Sequence, residues 1–159
     1  MTTRLTHELT YDAPLAEVSA MLGDRGFREQ VCEALGVLRH EVTVVPEGAG
    51  KRVRIEQVQA ADRLPSFATR LVGNQIEIVQ EERWSGTDRA GLTVVVPGKP
   101  GQMDGTIRLA ESGGVTTQVV DMTIKVSLPL VGGKLEGLVA DMLLRALKVE
   151  NTTGRGYLS

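Results

Sequence analysis

The chain has 159 residues, the size of one domain and long enough to bury a core without disulfide or metal staples. Hydrophobic residues make up 42% and charged residues 24%, which excludes wholesale disorder. Residues 1–75 and 76–159 each carry nine basic and ten acidic side chains, an even spread with no electrostatic footprint for nucleic acid or an anionic membrane.

Residues 4–11 alternate, with Leu5, His7, Leu9 and Tyr11 on one face, as a half-buried strand does. The strand stops at Asp12-Ala13-Pro14, where Asp12 can cap and Pro14 fits the first turn of a helix ending at Gly23. A second helix over 25–35 presents Phe27, Val31, Ala34 and Leu35, and Gly36 ends it. Residues 37–45 and 52–59 read as strands joined by a turn at 47–50. The first carries Leu38, His40, Val42 and Val44 on its apolar face, and the second Val53, Ile55 and Gln57. Pro65 opens a short helix with Phe67, Ala68, Leu71 and Val72 apolar, closed by Gly73.

Four more strands are expected at 75–84, 90–96, 105–112 and 115–128, separated by Gly- and Pro-rich turns. The last alternates Gln118, Val120, Met122, Ile124 and Val126 against polar residues, and Pro129 ends it. Over 133–151 the period changes from 2 to 3.6, with Leu135, Leu138, Val139, Met142, Leu143, Ala146 and Leu147 in one stripe. About 18 helical residues span about 27 Å, enough to cover a sheet. Residues 154–159 read as a frayed end. The order predicts an α+β fold: two short helices after the first strand, a curved antiparallel sheet of six or seven strands, and a long C-terminal helix gripped by it. Residues 1–159 form a single domain in this reading, with a natural cavity between helix and sheet.

The order resembles the helix-grip fold of the START-like superfamily (SRPBCC; birch-pollen-allergen-like lipid carriers, polyketide cyclases and ATPase activators). Tyr11-Asp12-Ala13-Pro14-Leu15-Ala16-Glu17-Val18 is similar to that superfamily's strand-to-helix start. Three segments are similar to a bacterial family of unknown function within it: Ala13-Pro14 through Phe27-Arg28-Glu29, Val96-Pro97-Gly98-Lys99-Pro100-Gly101, and Leu128-Pro129-Leu130-Val131-Gly132-Gly133-Lys134-Leu135-Glu136. The resemblance implies a binder of a hydrophobic small molecule, a lipid or polyketide. Its alternatives are a cyclase- or hydratase-type enzyme using a pocket histidine, and a protein-interaction module.

His7 and His40, the two histidines, both fall on apolar strand faces; either serves as a polar anchor for a ligand or as a core residue bonded to neighbours. Gln57, Gln80, Gln118 and Trp84 fall on the inward face, where a pocket holds polar groups more readily than a dry core. Val53, Ile55, Val120, Met122, Leu138 and Met142 supply the apolar wall, and Phe67, Leu71 and Val72 either a lid over its mouth or a packed crossover closing the sheet end. Five aromatic residues in the chain leave few rings to plug such a cavity. Gly132-Gly133-Lys134 lacks the earlier glycine and the following Ser or Thr of a phosphate loop, so the glycines are read as a sharp strand-to-helix turn. Cys32, the one cysteine, is expected to be a small buried hydrophobe, and Glu81 and Glu82 an outward strand face. No catalytic set, metal site or cofactor is expected, and the reading leans against an enzyme. No apolar run is long enough to span a bilayer, and the start lacks the order of a signal peptide, so the expected location is the cytoplasm.

Overall fold

Alternating apolar residues build one sheet, and a computed structural model of the chain describes it over residues 2–159. In chain order the elements are β1 (Thr3–Tyr11), α1 (Leu15–Leu22), α2 (Arg25–Leu35), β2 (Arg39–Glu47), β3 (Gly50–Ala60), α3 (Ser66–Val72), β4 (Gln75–Trp84), β5 (Arg89–Val95), β6 (Gln102–Ser112), β7 (Val115–Lys125) and α4 (Gly132–Leu158). The seven strands are antiparallel in the order β1-β7-β6-β5-β4-β3-β2, so β2 to β7 form a meander and β1 closes its far side. The expected α+β helix-grip architecture is the one observed.

Register places the inward side chains. Leu9 sits opposite Gln118, which in turn faces Leu109 on β6; Ile55 lies between Val42 and Gln80. These strands bury Leu9, Val53, Ile55, Leu92, Val120, Met122 and Ile124 in one core with Val18, Leu22 and Phe27 of the first two helices. The backbone of α4 runs close to α2, β1 and β7 and stands away from the central strands. A gap is left over β3, β4 and β5, on the sheet's inward side.

Local details depart from expectation in several places. Asp12 does not cap α1: the Leu15 N–H donates to Glu111 Oε1 of β6 at 2.7 Å, so the cap comes from another element. The strand expected at 37–45 begins at Arg39, leaving Leu38 half exposed, and the strand expected to reach 128 ends at Lys125.

At the strand-to-helix turn the left-handed residue is Leu130 (φ 70°), not a glycine. Gly132 is required for a different reason, since a Cβ there would lie 2.5 Å from the Val126 carbonyl oxygen, whereas one on Gly133 meets open space. Glu136 anchors the turn by accepting from the Val126 N–H and the Thr3 hydroxyl, both at 2.9 Å; that backbone donor, foremost, holds its carboxyl below the usual range.

The expected frayed end is helical to Leu158. Gly154 is buried against Tyr11 and Met21, the Tyr157 ring meets Phe27 edge-on at 5.3 Å, and its hydroxyl donates to Asp24. Arg155 donates to the Thr10 carbonyl and hydroxyl. Residues that look polar and unpatterned in sequence are held by tertiary partners.

Candidate ligand site

Three cavities share walls between α4 and the sheet. The innermost, about 60 Å³, is lined by Arg28 and Cys32 of α2, Gln57 and Glu82 from the sheet, and Leu143 and Glu150 of α4, among others. The middle one, about 100 Å³, shares Leu35, Gln57, Gln80, Val94, Leu143 and Ala146 with it. The outer one, about 70 Å³, shares Ile76, Val96, Met103, Val139 and Met142 with the middle one, and reaches α3 and the turn at Lys99-Pro100-Gly101. A slot thus runs from a polar inner end to an apolar mouth. Its combined volume falls short of the roughly 300 Å³ at which drug-sized sites begin, so it suits a slender occupant unless α3 or α4 moves.

The polar inner end is a buried ion cluster. Arg28, 2% exposed, lies on the same face of α2 as Val31, Cys32 and Leu35. Its Nη2 donates to Glu82 Oε1 at 2.6 Å, its Nη1 reaches Glu150 Oε1 at 3.4 Å, and its Nε donates to the Leu22 carbonyl at 2.7 Å. Glu82, 1% exposed, sits between Val53 and Leu92 in register, and also accepts from Trp84 Nε1 at 3.0 Å and Gln80 Nε2 at 2.8 Å. Glu150 accepts from Gln118 Nε2 at 3.0 Å, and the Tyr11 hydroxyl lies 3.5 Å from the Gln118 carbonyl oxygen.

Burial costs an ion several kcal/mol, so such a cluster persists only with its partners in place. One guanidinium serves two carboxyl groups. Burial, with Glu82 adding to it, pushes the Glu150 carboxyl above the usual carboxylate range despite Arg28 and Gln118. For Arg28, burial acts to lower the pKa, but Glu82 and Glu150 outweigh it and the guanidinium is held more firmly charged. Burial pushes the Cys32 thiol up to about 11, which leaves it a protonated, inert side chain.

Of the residues anticipated for the site, Ile55, Gln57, Gln118, Val120 and Met122 line the inner cavity. Gln57 and Met142 line the middle one; Leu71, Leu138 and Met142 line the outer one. Trp84 acts behind the wall through Glu82. His7, His40, Val53 and Phe67 line none of the three. His7 is half buried on β1, and His40 lies opposite Gln57 on the edge strand β2. Val53 is fully buried beside Glu82, and Phe67 is half buried on α3.

Glu82, read in sequence as part of an outward face, points in. Glu81 does face outward and pairs with Arg54 and Arg83, and alternation then turns Glu82 to the same side as Gln80 and Trp84. Sequence reasoning also misses Arg28 and Glu150, although both continue helical stripes: Arg28 precedes Val31 and Cys32, and Glu150 follows Leu143, Ala146 and Leu147.

The sheet, the two short helices and the gripping helix with its internal slot define a helix-grip fold of the START-like kind. Over 99% of its length the chain superposes on a Thermus thermophilus protein, TTHA0849, with TM-score 0.68 at 22% identity, covering all of that chain. It superposes on a START superfamily protein from Mycobacterium smegmatis with TM-score 0.64 at 12% identity, covering 98% of this chain and 99% of that one. Truncated norcoclaurine synthase from Thalictrum flavum matches with TM-score 0.64 at 13% identity over 95% and 92% of the two chains. The chain belongs to the family described as Protein of unknown function (DUF2505), whose model matches residues 6–158. The uncharacterized protein Rv0481c of Mycobacterium tuberculosis is 30% identical over 101 residues, 59% of this chain. That match spans 58% of the length of the curated relative.

Proposed function

We propose that this chain, acting as one helix-grip domain in the cytoplasm, binds and carries or senses a hydrophobic small molecule of the lipid or polyketide kind. The observation that supports this reading is the slot itself. Its middle and outer parts are walled by Ile76, Ile78, Val94, Val96, Met103 and Met142, which give affinity by burial of apolar area at about 25 cal/mol per Å². The inner end supplies a few polar groups that orient an occupant. Leu71 and Val72 of α3 stand at the outer mouth, so displacement of this short helix admits the ligand.

The test is mass spectrometry of small molecules extracted from purified protein, alongside uptake of a supplied apolar ligand by wild type and by Met142→Trp. A retained or absorbed apolar molecule near one per chain, lost in the Trp variant, is the expected result. A blank extract together with no uptake refutes the carrier reading and favours a protein partner.

A further inference from the structure

We infer that the occupant of this slot carries a primary amine at the end that reaches the ion cluster. The inference rests on the carrier reading and adds the chemistry of the ligand's polar end. Two carboxyl groups, Glu82 and Glu150, line the inner cavity with a single guanidinium between them. Arg28 spends three of its five N–H groups on Leu22, Glu150 and Glu82, two of them on the carboxyl groups themselves. Its bond to Glu150 is the long one, at 3.4 Å, so Glu150 Oε1 is the acceptor least served in the cluster.

Among the described residues no second cation lines the inner cavity: of the three cavities, Arg145 of α4, which is exposed, lines only the middle one, and Lys99 only the outer one. Lys51 of β3 lies 4.8 Å over the Trp84 ring, contacts the Ser19 carbonyl at 3.4 Å, and lines none of the three cavities. Tyr11 of β1 stays a neutral phenol, because burial raises its pKa further. Cys32 of α2 is a neutral thiol.

A carboxylate or phosphate head would therefore face two carboxyl groups and a single guanidinium already shared between them. An ammonium head would complete the charge balance and give Glu150 a short, charge-assisted hydrogen bond. Where Glu150 holds a proton, a neutral amine reaches the same state by taking it, leaving a carboxylate and an ammonium in contact. The small inner volume, about 60 Å³, suits a compact –NH₃⁺ better than a bulkier quaternary ammonium.

The test is isothermal titration calorimetry of full-length protein with octylamine, octan-1-ol and octanoate, which share one tail. Octylamine is expected to bind at least roughly tenfold more tightly than octanoate, the equivalent of about 1.4 kcal/mol. Glu150→Gln should reduce that preference to less than about threefold, well under the tenfold step. Octanoate binding as tightly as octylamine overturns the inference, and the wild-type ranking decides this even if the variant does not fold. One-to-one octanol binding without any preference for the amine refutes the amine head alone. No binding of any of the three ligands refutes both this inference and the carrier reading.

Discussion

Replacing Arg28 with methionine keeps the apolar stem of the side chain and removes its charge. Glu82 and Glu150 are then left facing a cavity wall without a cation, while Gln80, Trp84 and Gln118 still donate to them. Breaking a buried ion pair by deleting one partner costs about 3–5 kcal/mol, because the remaining charge is uncompensated. For a domain of this size each kcal/mol lowers the melting temperature by roughly 2–4 °C, so the variant should melt about 6–20 °C below wild type at neutral pH.

The loss should shrink in acid. A buried carboxyl with no cation beside it has a folded pKa raised above its unfolded one, so it stabilises the fold below the unfolded pKa and loses that contribution as pH rises. The slope is at most about 1.4 kcal/mol per pH unit for each group. The assay is urea denaturation at pH 5, 6, 7 and 8 for wild type, Arg28→Met, and the triple variant with Glu82→Gln and Glu150→Gln. The triple variant should recover most of the stability, since neutral amides require no counter-ion. A single variant as stable as wild type at every pH would refute the electrostatic reasoning, and so would a loss independent of pH.

Three further outcomes follow from the geometry. Glu150→Gln alone should flatten the decline of stability as pH rises above about 4.5, because a carboxyl whose folded pKa is raised stabilises only on the acid side; denaturation midpoints against pH measure it. Gly132→Ala should lower the melting temperature, as its Cβ would meet the Val126 carbonyl oxygen at 2.5 Å, while Gly133→Ala should leave it unchanged or slightly raised; equal effects would rule out the close approach. Gly154→Val should cost about 1–3 kcal/mol by forcing its side chain into Tyr11 and Met21, and a neutral result in thermal melts would return the C-terminal turns to the frayed state.

Much of the fold was legible because backbone periodicity is local. Alternation over 4–11, 52–59 and 115–128 marked which side chains share a face, and the change to a 3.6 period after Gly132 marked the gripping helix. The same alternation identified Gln57 and Gln118 as polar residues on an apolar face, and both line the inner cavity. Glu82 obeys that rule as well, and was misplaced only because a carboxylate is expensive to bury without a visible partner.

That partner could not be read along the chain. Arg28 lies 54 residues before Glu82 and 122 before Glu150, and no local pattern encodes a contact between elements so far apart. The same holds for the cap that Glu111 gives α1 and for the packing of Gly154 on Tyr11 and Met21. The sequence alone determines strands, helices and the apolar faces that must be covered, because these follow from side-chain geometry on a single element. Only the tertiary structure decides which polar groups meet beneath the helix. Their burial is tolerable only as a set, and that set exists only once the sheet has curved and α2 and α4 have closed over it.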